Sequence, residues 1–169
     1  MMVNEVINAL YYIFPAYCAN AAPVLFGGGK PIDLGRRFLD GKPILGSNKT
    51  YRGFISGILI GTLVGWVQSM LAPTLGLRGG SVLLGFTLSL GALVGDLLGS
   101  FIKRRLDIKP GDPFPVSDQI DFVLVALLFS LAVEPPTLLA AVIVILLTPP
   151  IHLLTNFIAY LLRVKKKPW

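Results

Sequence analysis

Charged residues are spaced along this chain so that they leave four long apolar runs. Val6 to Gly29, Gly53 to Leu77 and Pro135 to Leu162 contain no charge, and Gly79 to Ile102 is interrupted once, by Asp96. Each is long enough to cross the hydrocarbon of a bilayer, which takes about 20 helical residues. A fifth run, Phe122 to Val133, has only 12 residues, roughly 18 Å of helix. It crosses only if the helix starts near Ser117 and brings Asp118 and Asp121 into its first turns. The pattern predicts an all-α polytopic membrane protein with five transmembrane helices, over approximately 4–28, 53–73, 79–102, 116–133 and 136–162. The first run lacks a basic leader, follows Glu5 and is too long for a cleavable signal peptide. Pro15 and Pro23 should kink it. Pro149-Pro150 should either kink the last run or divide it into two half-helices, the single kinked span being favoured.

Composition sharpens this picture. Of 169 residues, 54% are apolar and 14% charged, with a mean hydropathy of +0.73. The apolar content excludes disorder, and because soluble domains carry about 25% charge a water-soluble globule is disfavoured. Residues 1–169 are expected to form a single integral membrane domain. The lone Cys18 excludes an intramolecular disulfide and a cysteine zinc cluster. The net charge of +6 could suggest nucleic acid, but its distribution argues otherwise. Lys30, Arg36, Arg37, Lys42, Lys49 and Arg52 lie between spans one and two; Lys103, Arg104, Arg105 and Lys109 lie between spans three and four. Arg163, Lys165, Lys166 and Lys167 follow span five, and only Arg78 falls on the other side. This positive-inside pattern predicts a multi-pass protein of the cell membrane with its N-terminus outside and C-terminus cytosolic. No basic-aromatic pattern of a nucleic-acid reader is present.

Glycines add packing information. Gly53, Gly57, Gly61 and Gly65 line one face of span two, and Gly91, Gly95 and Gly99 one face of span three. Such stripes let helix backbones approach closely. Packing within the bundle is favoured over a dimer interface, and nothing in the pattern supports a homo-oligomer.

Three carboxylates then stand out. Asp96 lies seven residues before Lys103, so roughly 10 Å below the cytosolic end of its helix. Its insertion costs on the order of 2.5–3.5 kcal/mol, whereas a packing partner could be apolar and cheaper. Ser100 and Lys103 share its face. Asp118 and Asp121, spaced i, i+3, point the same way at the start of span four. Ser117 is a good N-cap and acids in a first turn suit the helix dipole, which accounts for Asp118 more easily than for Asp121. Carboxylates converging at a membrane edge form an oxygen-rich site suited to Mg²⁺. Beside them, Lys103 and Arg104 are candidates to neutralise phosphate oxygens, while Arg105 is adequately explained by topology. Ser47 to Gly53 adds polar donors at the same edge. Metal carboxylates next to phosphate-binding cations are what phosphoryl or nucleotidyl transfer needs. Gly27-Gly28-Gly29-Lys30 is not a P-loop, since Val24 and Pro31 replace required residues. His152, the only histidine, is expected to hydrogen-bond within the bundle near Asn156.

The run Gly95-Asp96-Leu97-x-x-Ser100-x-x-Lys103-Arg104, then Lys109, then Asp118-x-x-Asp121, resembles the signature of the membrane phosphatidate cytidylyltransferases. Lys49-Thr50-Tyr51-Arg52-Gly53 is similar to the Lys-Thr-x-x-Gly element those enzymes carry upstream. Pro110 stands where an Asp usually follows the Lys, and Pro113 to Ser117 replaces a Pro-Gly-His-Gly-Gly stretch. The small size, five spans and the run from Pro110 to Asp121 resemble the archaeal branch, the CDP-archaeol synthases. That resemblance implies Mg²⁺-dependent transfer of CMP from CTP to 2,3-bis-O-geranylgeranylglyceryl phosphate, an isoprenoid ether lipid phosphate drawn from the bilayer. Pyrophosphate would leave, with the active site facing the cytosol. In this frame Asp118 and Asp121 bind the metal, and Asp96 is a further ligand or orients Lys103. Lys103 and Arg104 stabilise the triphosphate, with Ser100 and Lys109 in the same motif. Lys49, Thr50 and Arg52 contact nucleotide or lipid phosphate, and Asp112 is a candidate for the acid missing after Lys109.

Other readings are a phosphatidate cytidylyltransferase acting on diacyl lipid phosphate, or a small transporter with Asp96 lining a polar path. A transporter predicts an internal repeat, yet span five has no charged counterpart of Asp96. A CDP-alcohol phosphotransferase would space its final acids four apart after an Asp-Gly-x-x-Ala-Arg element, which this chain lacks.

Overall fold

In the computed structural model, residues 2–77, 79–165 and 167 are described. Their order is α1 (Met2–Phe26), α2 (Tyr51–Leu75), α3 (Val82–Arg105), α4 (Ser117–Ser130) and α5 (Leu138–Leu161), with no strand among them. Starts of three helices are set by side chains that cap otherwise unpaired N–H groups. Thr50 Oγ1 accepts from Gly53 N at 3.2 Å, Ser81 Oγ from Leu84 N at 3.0 Å, and Thr137 Oγ1 from Ala140 N at 3.1 Å. Gly76, at φ 64°, closes α2 in the left-handed conformation that suits glycine. Helix α5 runs unbroken through Pro149-Pro150, so the half-helix alternative does not apply.

Helix α4 departs from expectation at its start. Ser117 is its first residue rather than its cap, and the preceding Val116 sits at φ 69° with no side-chain cap bond. Asp118 instead braces the turn that enters the helix, its Oδ2 accepting from Phe114 N at 2.8 Å. At 14 residues α4 is about 21 Å long, short of the ~30 Å hydrocarbon core. The four other helices are long and apolar enough to cross a membrane. Turns after α4 extend its reach, with Glu134 N bonded to Ser130 O at 2.9 Å. Tyr12 Oη then donates to Glu134 O at 2.6 Å. A Cβ added at Gly79 would lie 3.2 Å from Glu134 Oε1, so the α4–α5 and α2–α3 connections adjoin. Arg78, the one cation expected at that end, lies outside the described residues, as does Lys166.

Both glycine stripes face inward. Cβ atoms placed on Gly57 and Gly65 would lie 2.7 Å from Ala19 O and 2.6 Å from Gly85 Cα, respectively. The α2 stripe is therefore wedged between α1 and α3. Along α3, Gly91 and Gly95 admit α4: a Cβ would meet Ala126 Cα or Phe122 Cα, each at 2.7 Å. These close approaches serve packing inside the chain. Ile13, Leu88, Ala92, Val123, Ala126 and Val144 form the buried core between them. Helix α5 packs on α1 and α4 and, among the described residues, touches neither α2 nor α3.

The α1–α2 connection is long but ordered by one acid. Asp33, 8% exposed, accepts from Gly35 N at 3.0 Å and from Leu45 N and Gly46 N at 2.9 Å each. Burial alone would raise its pKa; the three donated N–H bonds outweigh that and hold the carboxyl below its ordinary range. The connection is clamped to the end of α3 by Lys42–Asp107 at 2.7 Å and Arg105–Asp40 at 3.2 Å, with the Arg105 guanidinium against the Phe38 and Phe101 rings. This frame sets where Lys49 emerges.

Candidate active site

Charged side chains gather where α3 ends, α4 begins and the α1–α2 connection returns. Helix α3 continues through Lys103, Arg104 and Arg105 instead of stopping at Ile102, so the cations form its last turn. Lys and Arg have good helix propensity and complement the negative helix end there. Lys103 and Arg104 are 9% and 6% exposed, which fixes their side chains among the helices.

Two bidentate ion pairs result. Lys49 Nζ donates to Asp96 Oδ1 and Oδ2 at 2.7 and 2.6 Å. Lys103 Nζ donates to Asp118 Oδ1 and Oδ2 at 2.9 and 2.8 Å. Asp96 thus does not orient Lys103, as its helical spacing allowed; it pairs with a lysine from a distant loop. The reason is the fixed path of that loop, which local spacing does not report. Asp121 lies within electrostatic reach of Asp96, Asp118 and Lys49. Its Oδ1 accepts Phe122 N at 2.6 Å, and its Oδ2 occupies the space that a Cβ on Gly99 would fill. Arg104 is electrostatically linked to Asp112 and Asp118, and its buried Nε has no protein hydrogen-bond partner.

Other expected residues are arranged around this cluster. Ser100 is buried on α3, one turn from Asp96. Thr50 is committed to capping α2. Arg52 is exposed on the first turn of α2, and Lys109 is exposed in the α3–α4 connection. Asp112 pairs with Lys167 at 3.1 Å on the surface, rather than replacing an acid inside the cluster.

The donor set is compatible with Mg²⁺ in chemistry: three carboxylates on two packed helices offer only hard oxygen ligands. Asp121 forms no ion pair among the described residues. No three His, Cys, Asp or Glu side chains are gathered closely enough to hold an ion as they stand, again among the described residues. Lysine ammonium groups occupy the positions facing Asp96 and Asp118.

Helix α5 supplies groups that the motif did not contain. His152 packs its ring 6.1 Å from Phe122, next to Asp121, and its ring nitrogens lie 3.2 and 3.4 Å from Asn156 Nδ2. Asn156 Oδ1 accepts from Lys165 Nζ at 2.9 Å. Burial and the nearby Lys49 lower the pKa of Lys165, with Asp118 and Asp96 acting in the opposite sense. Histidine and asparagine one turn apart in an uncharged run were a visible signal. Lys165 was indistinguishable from a topological lysine.

The CarS-like family model, described as CDP-archaeol synthase, matches residues 2–169. The CDP-archaeol synthase of Methanocaldococcus jannaschii is 49% identical over 177 residues, covering 100% of both chains. That of Pyrococcus horikoshii is 46% identical over 170 residues, again covering 100% of both. A solved structure of an intramembrane enzyme for archaeal membrane lipid biosynthesis superposes with a TM-score of 0.80 at 37% identity, covering 89% of this chain and 94% of the other. With the family model and full-length relatives in agreement, the chain belongs to the CDP-archaeol synthase family.

Proposed function

We propose that this protein is a Mg²⁺-dependent cytidylyltransferase of archaeal lipid biosynthesis. It moves CMP from CTP to 2,3-bis-O-geranylgeranylglyceryl phosphate and releases pyrophosphate. Family membership supports the activity. The observation that carries the residue roles is the cluster of two Lys–Asp pairs around Asp121, with the buried Arg104 beside it.

An oxygen of the lipid phosphate attacks the α-phosphorus of CTP, forming a P–O bond as the bond to the bridging oxygen of pyrophosphate breaks. Lys103 and Arg104 receive the negative charge that accumulates on the departing phosphates. Lys49 and Arg52 meet the nucleotide or lipid phosphate at the rim, while Thr50 acts indirectly by fixing the start of α2. Asp121, with Asp118 and Asp96, would hold Mg²⁺. When bound, that ion neutralises phosphate oxygens and helps to align them. Asp96 and Asp118 also aim Lys49 and Lys103. Ser100 lines the buried wall, and Lys109 lies at the cytosolic mouth.

The setting is a single membrane domain crossing five times, N-terminus outside and C-terminus cytosolic, with α4 and its terminal turns as the short fourth crossing. The cationic end faces the cytosol, where CTP is found, and the lipid phosphate approaches from the membrane plane.

The test is pyrophosphate release from purified protein in liposomes. Release should require CTP, Mg²⁺ and lipid phosphate together, and should be faster with the isoprenoid ether substrate than with a diacyl phosphate. Asp121→Asn and Asp96→Asn should each lower kcat by at least about 10²-fold, the scale of losing one preorganised charge-stabilising group. Near-full rates in either variant across Mg²⁺ concentrations would remove that residue's role. Ion flux without pyrophosphate release would replace the enzyme reading by a transporter.

A further inference from the structure

The chain reverses directly after α5. Leu162 N bonds Ile158 O at 2.9 Å and Arg163 N bonds Tyr160 O at 2.9 Å; Val164 N and Lys165 N then share Ala159 O, at 2.9 and 3.1 Å. Arg163 takes φ 58°, a left-handed conformation usually filled by glycine at such turns. An arginine held there costs about 1–2 kcal/mol, so the surrounding contacts maintain the reversal. Its effect is to send Lys165 back along α5.

A lysine present only for topology extends its ammonium toward water. Lys165 instead is half-buried and donates to Asn156 at 2.9 Å, nine residues earlier. The Asn156 amide is itself oriented by His152, which rests on Phe122 of α4. This places the ammonium within electrostatic reach of Asp96, Asp118 and Lys49. Lys167 pairs with Asp112, tying the reversed segment to the α3–α4 connection. The segment therefore joins the end of α5 to the rim of the charged cluster.

We propose that Lys165 is a polyphosphate-binding residue, brought into the nucleotide site by the reversed segment and aimed by Asn156 and His152. It rests on the cytidylyltransferase reading for the identity of the ligand, and on this geometry for its place. Lys165 Nζ donates to the Asn156 amide oxygen, and an ammonium on a flexible stem can turn to a phosphate and gain a charge-assisted bond. Asn156 is a positioning residue: it sets the direction of the ammonium without touching the nucleotide.

Steady-state kinetics of full-length protein in liposomes separates the roles. Lys165→Met should raise the KM for CTP about tenfold, the scale of one charge-assisted hydrogen bond. The KM for lipid phosphate should stay within twofold, and Lys165→Arg should recover most of the loss. Asn156→Ala should raise the CTP KM about threefold, whereas Leu154→Ala, on the exposed side of α5, leaves it unchanged. Calorimetric binding of inorganic tripolyphosphate should weaken in parallel in Lys165→Met, at an unchanged melting temperature. A wild-type CTP KM in Lys165→Met, or equal tripolyphosphate affinity, overturns the proposal. Should the wild type release no pyrophosphate from CTP, the cytidylyltransferase reading fails by itself. The tripolyphosphate comparison then still decides whether Lys165 binds polyphosphate; no binding by the wild type would also overturn it.

Discussion

Helices α3 and α5 have the same length, 24 residues, and opposite relations to the rest of the molecule. Helix α5 is the more apolar, yet only Val144 and Thr148 are fully buried along it; α3, with glycines at 85, 91, 95 and 99, buries half its residues. In water the greasier helix would take the centre. In a bilayer lipid tails satisfy leucine as well as protein does, so depth in the bundle follows small residues that permit close backbone contact. The consequence is functional. Asp96 and Lys103 sit on the helix held most tightly, and α5 contributes through one histidine–asparagine pair and the reversal that follows it.

The comparison breaks first at Lys103. Lys103→Met leaves Asp118 without its ammonium partner, at a cost of about 2 kcal/mol, below the 3–5 kcal/mol of a fully buried pair because solvent partly reaches Asp118. Cytidylyl transfer should fall by about 10³-fold. Adding Asp118→Asn should restore most of the melting temperature and none of the activity, separating charge balance from chemistry.

Gly95→Ala tests the seam itself. Its Cβ would lie 2.6 Å from Asp121 O and 2.7 Å from Phe122 Cα, both backbone atoms, so α4 must move. Overpacking of this kind costs about 1–3 kcal/mol, several degrees of melting temperature in a chain of this size. Activity should decline with it, because Asp121 moves too.

Asp33→Asn sharpens the contrast from the loop side. The carboxyl of Asp33 is held below its ordinary pKa, so its stabilisation is complete above about pH 4 and is lost as pH falls through the lower folded value. Wild type should be more stable than the variant at pH 6 by about 1 kcal/mol, read from denaturant unfolding. That gap should narrow below pH 4. Leu154→Ala, on the lipid-facing side of α5 at 59% exposure, should change stability by less than about 0.5 kcal/mol. A larger loss would show that α5 is packed more tightly than its burial indicates.

Long helices were legible because uncharged runs leave few alternatives, and the motif acids were legible because charge inside such runs is costly. Less visible was everything decided across the chain. The Lys49–Asp96 pair depends on a loop path fixed by Asp33, 16 residues before Lys49. Ser117 matched the preferred N-cap chemistry, but the turn entering α4 places it inside the helix, which starts without a side-chain cap while Asp118 braces that turn through Phe114 N. Lys165 was hidden because composition treats every lysine after a membrane helix alike; the left-handed Arg163 turns it back toward Asn156, and no local pattern announces that conformation.

The two bidentate bridges also bear on how such a chain enters a bilayer. Lys49 and Lys103 each meet an acid from another part of the chain, so each positive group has its own counter-ion inside the protein. Those four side chains together add no net charge at the membrane edge, and the bundle can assemble there without recruiting anionic lipid to neutralise them.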